Sequence, residues 1–99
     1  MERQEIENKI KEFGFEGTQD YPFKYEEGAI LYSFPIESSQ SCDVIINGTD
    51  LYADKIHYLK FEVDNYGISI RLYCGNQYIG CIIESWENID TFELTRTTM

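Results

Sequence analysis

Residues 57–84 contain three segments in which apolar and polar side chains alternate. The segments read HYLKFEV, ISIRLYC and YIGCIIE, and the turn-forming sequences DNYG and GN separate them. Alternation with a period of two is typical of strands that bury one face, and such short connections join antiparallel neighbours. This region predicts a three-stranded antiparallel meander, which constrains the fold more than any other part of the sequence.

The register of this meander follows from placing its apolar side chains on one face, because a slip of one residue would turn them outward. The predicted pairs are Val63–Ile68, Phe61–Ile70 and Leu59–Leu72 across the first turn, and Leu72–Ile79 and Ile70–Cys81 across the second turn at Gly75 and Asn76. Ile79, Cys81 and Ile83 are therefore expected to face the core. The first turn predicts a left-handed conformation for Gly67.

The opposite face of the meander is predicted to carry a row of three tyrosines. Tyr58 falls opposite Tyr73, and Tyr73 falls opposite Tyr78. Cross-strand aromatic pairs stabilise a sheet, and aromatic side chains are also frequent at the hot spots of protein interfaces. The row is therefore either a stabilising cover or a partner-binding surface. Its predicted neighbours are Lys60, Arg71 and Gly80.

The segments on either side of the meander predict one helix and further strands. Ile6, Ile10 and Phe13 have helical spacing and Gly14 is a suitable stop, whereas residues 14–28 have no regular period and are expected to form a loop. Residues 30–36 and 42–46 are predicted strands, with Pro35 suited to an edge and NGTD at 47–50 to a turn. A loop or helical turn is expected at 86–90 and a short strand at 92–95.

Together these elements predict an α+β fold in which the N-terminal helix packs on an antiparallel sheet of about five strands, arranged as a meander. The 99 residues are expected to form a single domain, 1–99, because this length fits one hydrophobic core. Hydrophobic residues make up 42% of the chain, which is enough for a packed core and argues against an acidic disordered tail.

The charge of the chain is strongly negative and unevenly distributed. The net charge is −10, and residues 25–54 contain six carboxylates but no Lys or Arg. By segment, 1–29 carries −4, 30–54 carries −4, 55–83 carries +1 and 84–99 carries −3. Nucleic-acid binding depends on Lys and Arg neutralising phosphates, so direct nucleic-acid binding is not expected. An acidic surface instead favours solubility or a basic protein partner.

No motif predicts catalysis, a metal site or a cofactor. His57 alternates with apolar residues and lacks catalytic partners, and Cys42, Cys74 and Cys81 lack metal-ligand spacing. No glycine-rich phosphate loop is followed by a lysine. The chain shows neither a signal peptide nor an apolar run of about 18 residues, so a cytoplasmic protein without membrane contact is expected.

In its size, acidity and lack of catalytic motifs, the chain resembles the small anti-defence proteins of phages, including DNA mimics and anti-CRISPR proteins. This resemblance implies a non-catalytic inhibitor that occupies a basic surface of a larger protein, in the cytoplasm of the host cell if phage-encoded. The alternatives are an immunity protein of a toxin pair, a homo-oligomeric structural protein, and a ligand-binding or enzymatic domain with a pocket near His57 and Cys74. The oligomeric state is left open between monomer and homodimer. The predicted partner-binding residues are Glu26, Glu27, Glu37, Asp43, Asp50, Asp54, Tyr58, Tyr73, Tyr78, Glu84 and Glu87.

Overall fold

The computed structural model describes residues 1–18, 28–33, 42–50, 58–74 and 77–96. The elements along the chain are α1 (Arg3–Phe13), β1 (Glu16–Thr18), β2 (Ile30–Ser33), β3 (Cys42–Ile46), β4 (Thr49–Asp50), β5 (Tyr58–Val63), β6 (Gly67–Cys74), β7 (Gln77–Ser85), a 3₁₀ turn (Trp86–Asn88) and β8 (Phe92–Arg96). Within the described ranges, the strands form a five-stranded sheet in the order β1-β2-β5-β6-β7 and a three-stranded sheet in the order β4-β3-β8. The predicted α+β class, with one N-terminal helix and a five-stranded antiparallel sheet, is confirmed.

Helix α1 forms where its apolar spacing predicts. Ile6 and Ile10 are fully buried, and Phe13 packs partly against the core. Gly14 ends the helix in the left-handed conformation, with φ of 120°, and its N–H donates to the carbonyl of Lys11 at 3.1 Å. A glycine stop of this kind satisfies a helix-end carbonyl without the steric cost of a Cβ. The helix thereby lays its apolar stripe on the sheet.

The first hairpin of the meander, β5–β6, has the predicted register. Val63 pairs with Ile68, and Phe61 pairs with Ile70. The prediction of a left-handed Gly67 is wrong, because Gly67 is the first residue of β6 and has no positive φ. A Cβ on Gly67 would lie 2.0 Å from the carbonyl oxygen of Glu84. The glycine is required there because β6 and β7 approach each other closely.

The second hairpin, β6–β7, departs from the predicted register because of a β-bulge. Tyr73 pairs with Tyr78 as predicted, but the pairing shifts between Leu72 and Tyr73. The observed pairs beyond the shift are Leu72–Gly80, Ile70–Ile82, Arg71–Cys81 and Ser69–Ile83. The predicted pairs Leu72–Ile79 and Ile70–Cys81 are therefore wrong.

This shift also reverses which side chains of β7 face the core. Ile82 packs partly against the core, whereas Ile79 and Ile83 are 46% and 73% exposed and Cys81 is exposed. The expected inward set of Ile79, Cys81 and Ile83 is thus wrong. A bulge adds one residue to a strand, so every side chain beyond it changes face. Gly80 likewise lies on the core side, opposite Leu72, and not beside the tyrosines.

The smaller sheet was not expected as a separate layer. Asn47 and Gly48 form the β3–β4 turn with φ of 51° and 80°, values that suit an Asn-Gly hairpin turn, and β3 pairs along its whole length with β8. Strand β1 is also unexpected, since its three residues fall in the segment predicted to be a loop. The part of the predicted 30–36 strand beyond Ser33, including Pro35, lies outside the described residues.

The core lies between the inner face of the large sheet on one side and both α1 and the small sheet on the other. Its buried side chains come from α1 and from both sheets. The buried hydrophobic residues are Ile6, Ile10, Phe15, Ala29, Tyr32, Val44, Ile46, Leu59, Phe61, Val63, Ile68, Ile70, Ile89 and Phe92. Phe61 makes edge-to-face contacts with Phe15, at 4.8 Å between ring centroids, and with Phe92, at 6.1 Å. The core therefore couples the two sheets through aromatic contacts.

Candidate partner-binding surfaces

The outward face of the small sheet brings together acids that are distant in the sequence. Val44, Ile46 and Phe92 are buried, so alternate residues of the same strands point away from the core. Ile45 lies at the centre of this outward face, with Asp50 opposite it on β4 and Glu93 opposite it on β8. Asp43 lies opposite Thr95 on the same face. We call the set Asp43, Ile45, Asp50, Glu93 and Thr95 the acidic face.

Two carboxyl groups of the acidic face are held close together. The pKa of Asp43 is raised from 3.8 to about 6, first by burial, and then by a hydrogen bond with Asp50 and the charge of that carboxylate. Two carboxylates that share a site resist ionising together, so one of them retains its proton to a higher pH. The fold therefore holds Asp43 in an environment that disfavours its ionised form, which a nearby positive charge would relieve.

Asn47 fixes the small sheet to the segment that precedes β8. Its side-chain oxygen accepts hydrogen bonds from the backbone N–H groups of Asp90, at 2.7 Å, and Thr91, at 3.3 Å. Its side-chain amide donates to the carbonyl of Asn88 at 2.8 Å, and its backbone N–H donates to the carbonyl of Thr91 at 2.9 Å. The residue that makes the β3–β4 turn thus also sets the position of β8, and with it the position of Glu93.

The tyrosine row of the large sheet is present in part. Tyr73 and Tyr78 make an edge-to-face contact with ring centroids 5.8 Å apart. The Lys60 ammonium lies 5.3 Å from the centroid of the Tyr73 ring, and Arg71 forms a 2.8 Å ion pair with Glu62 beside it. Tyr58 pairs with Tyr73 in the β5–β6 register, as predicted, and its side chain lies outside the described residues.

The outer side of β7 continues the tyrosine row as an apolar surface. Tyr78 is 54% exposed, and its pKa is raised, first by desolvation and then by its interaction with Cys81. Ile79, Cys81 and Ile83 extend this surface along the strand. We call Tyr78, Ile79, Cys81 and Ile83 the β7 apolar strip. The charged side chains Lys60, Glu62 and Arg71 lie on the neighbouring strands, and the strip itself carries no charge.

Two other predicted site residues, Glu84 and Glu87, belong to neither surface. Glu84 is half-buried opposite Ile68, on the core side of β7, and Glu87 is exposed on the 3₁₀ turn. The predicted residues Glu26, Glu27, Glu37 and Asp54 lie outside the described residues, as does His57. Ile45 and Glu93 belong to the acidic face but were not among the predicted site residues. Only the β3–β8 pairing brings Glu93 to this face, and no local sequence pattern indicates that pairing.

A buried polar cluster ties α1 to the large sheet. Glu7 is buried, accepts a 2.6 Å hydrogen bond from the Tyr32 hydroxyl and forms a 3.2 Å ion pair with Arg3. Burial and the Glu7 carboxylate raise the pKa of Tyr32 above its ordinary value. The Arg3 guanidinium also donates to the Gly28 carbonyl at 2.7 Å and to the Asn65 side chain at 2.9 Å. Every partner is within the fold, which indicates a structural role.

Other kinds of site have little support in the described part of the chain. A shallow groove of about 340 Å³ lies between α1 and β8, and its lining includes Lys9, Phe13, Glu93 and Leu94. Its lining does not include Cys74, where the ligand-binding alternative placed a pocket. Among residues that the structure describes, no three potential metal ligands cluster, and no helix is both long and apolar enough to cross a membrane. Cys74 and Cys81 are free thiols.

Comparison of this chain with protein-family models, with curated proteins and with solved structures finds no match.

Proposed function

We propose that this protein is a non-catalytic acidic binding protein that covers a basic surface of a larger protein, and that the acidic face is its contact surface. The observation that carries this proposal is the pairing of β3 with both β4 and β8, which places Asp50 and Glu93 on either side of Ile45. A small apolar centre flanked by carboxylates resembles the interface pattern in which apolar contact supplies affinity and charge supplies orientation and association rate.

The distribution of charge supports this choice of surface. The acidic face joins two acidic segments, 30–54 and 84–99. The strands of the meander lie in the near-neutral segment 55–83, except for Glu84 and Ser85 at the end of β7. A surface that serves only solubility is expected to mix charges of both signs, whereas the acidic face carries three carboxylates and no Lys or Arg. Surfaces that bind nucleic-acid phosphates are basic, so such a surface is a suitable target for this one. Phage anti-defence inhibitors and immunity proteins of toxin pairs both act by covering surfaces of this kind.

The proposal predicts that affinity for the partner depends on the ionisation of Asp43. A basic partner stabilises the ionised carboxylate, so binding returns its pKa from about 6 towards 3.8 and releases a proton. By linkage, the affinity for the partner is at its maximum above pH 7. It is about fourfold lower at pH 5.5 if binding restores the pKa of Asp43 to 3.8. Asp43→Asn removes this dependence.

The test starts with capture of partners from a lysate of the source organism on the immobilised protein, followed by titration of the isolated partner. We expect Asp50→Lys to weaken binding by about tenfold, chiefly by slowing association. Glu5→Lys makes the same change of charge at an exposed position of α1 and serves as the matched control. Duplex DNA is expected to compete with the protein for its partner. Equal affinity of the two variants, or simultaneous binding of DNA without loss of affinity, would contradict the proposal.

A further inference from the structure

The two edges of the five-stranded sheet are built very differently. Strand β1 at one edge has only three residues and carries an exposed Glu16. Strand β7 at the other edge has nine residues, and its first seven, Gln77–Ile83, contain no charged residue and no proline. Short edge strands with charges prevent the unpaired backbone groups from pairing with other chains. One edge is therefore protected, whereas the other has a β-bulge near Tyr78 but lacks charge and proline along most of its length.

The burial of β7 shows that the fold does not cover this strand completely on either side. The core-facing Ile82 is only half-buried, although Ile70, its partner on β6, is fully buried. On the outer side, Ile83 is 73% exposed and Tyr78 is 54% exposed. Among the described strands, none pairs with the free side of β7. The strand has the apolar composition of an interior strand at a position where only one neighbour covers it.

We infer that β7 is a self-association surface, on which a second copy of this chain adds its own β7 antiparallel to the first and continues the sheet. A two-fold axis at Cys81 places Ile79 opposite Ile83 of the second copy. It also places Gly80 opposite Ile82, so that a large side chain meets a small one on the core side. A two-fold interface requires one surface that complements itself. The segment Ile79–Ile83 complements itself about Cys81, because Ile79 and Ile83 are equally distant from it, as are Gly80 and Ile82.

Charge favours a second copy as the occupant of this edge. Two molecules with a net charge of −10 repel each other over most of their surfaces, and the segment 55–83, at +1, is where this repulsion is smallest. The Arg71 guanidinium and the Glu62 carboxylate, next to the β7 apolar strip, already form a 2.8 Å ion pair. The approach of a second copy therefore leaves this ion pair intact. A basic partner gains little from carboxylates here, because Gln77–Ile83 contains none and Glu84 lies on the core side of the strand. The acidic face lies on the other sheet, so the dimer and the proposed partner site are separate surfaces.

The test measures the mass of the full chain by sedimentation and light scattering from about 1 to 200 μM. We expect a reversible dimer. Ile83→Lys should weaken dimerisation by at least tenfold, because it places an ammonium group in the apolar interface. Tyr66→Lys is the matched control, since Tyr66 is 71% exposed and the change of charge is identical, yet it lies in the β5–β6 turn. A monomer at 200 μM, or a dimer that Ile83→Lys and Tyr66→Lys affect equally, would overturn the inference.

Oxidative cross-linking with copper phenanthroline tests the position of the two-fold axis. Directly opposed residues of antiparallel strands have Cβ atoms about 4.5–5.5 Å apart, near enough for a disulfide after a small adjustment. We expect a covalent dimer from the natural chain and from Cys74→Ser, and none from Cys81→Ser. Cross-linking that persists in Cys81→Ser would refute an axis at this residue.

Discussion

The raised pKa of Asp43 predicts that its ionisation destabilises the folded protein. The change from 3.8 to about 6 corresponds to about 3 kcal/mol of unfavourable ionisation. Asp43 is only partly buried and Asp50 is exposed, so solvent screening reduces this to about 1 kcal/mol. Asp43→Asn keeps the shape of the side chain and removes the charge. We therefore expect this variant to be about 1 kcal/mol more stable than the natural protein at pH 7.

The sign of the pH dependence follows from the direction of this pKa. The folded pKa lies above the unfolded value, so the folded state binds the proton more tightly. The stability contributed by protonated Asp43 is present below about pH 4 and is lost as the pH rises through about 6. The natural protein and Asp43→Asn should therefore have similar stability near pH 4 and should diverge between pH 4 and 7.

Urea denaturation at pH 4.5, 5.5 and 7.0, followed by the fluorescence of the single tryptophan, measures this difference. Glu93→Gln is the control, because Glu93 is exposed on the same face and loses the same charge. Its effect on the free energy of unfolding at pH 7 should be smaller, because its side chain is exposed. A difference between Asp43→Asn and the natural protein that stays constant with pH would refute the reasoning. So would a variant that is less stable at pH 7.

Two further substitutions test the packing of the large sheet. Tyr32→Phe removes the 2.6 Å hydrogen bond to buried Glu7 and should lower the free energy of unfolding by about 2 kcal/mol. Tyr66→Phe, at an exposed site, should leave this free energy unchanged. Equal stabilities of the two variants in urea would count against a structural role for this hydrogen bond. Gly67→Ala places a Cβ 2.0 Å from the Glu84 carbonyl oxygen and should cost about 3 kcal/mol, measured by thermal and urea unfolding. An alanine variant with the natural melting temperature would show that β6 and β7 do not approach this closely.

Much of the fold follows from local patterns in the sequence. The helix ends at Gly14 as its spacing predicts, and the β5–β6 register follows from matching the apolar faces of the two strands. The 3₁₀ turn at Trp86–Asn88 forms where a loop or helical turn was expected, and the strand at Phe92–Arg96 forms close to its predicted bounds. In each case the residues that determine the structure are close in the sequence. The helical spacing, the glycine stop and the matching of apolar faces across a short turn all act between nearby residues, so a single sequence is sufficient to predict these elements.

The sequence does not determine which face of β7 is buried, because either set of alternating side chains could face the core. Ile82 and Ile83 are adjacent, so either can enter the core, and a bulge near Tyr78 selects Ile82. The smaller sheet was missed for a different reason. The hydrophobic pattern of β3 shows that one face is buried but does not identify the strand with which it pairs. The acidic face depends on that pairing, which explains why only Asp43 and Asp50 of its carboxylates were predicted.

The pairing of β3 with β8 also has a consequence for how the molecule folds. These strands are separated by about fifty residues, whereas each hairpin of the meander closes over a short turn. Loop-closure entropy slows contacts between distant segments, so the meander is expected to form first and the β3–β8 ladder to close late. A chain truncated before β8 would still contain every strand of the large sheet, but its acidic face would lack Glu93. The acidic face, which is the proposed partner site, is therefore completed in the last step of folding.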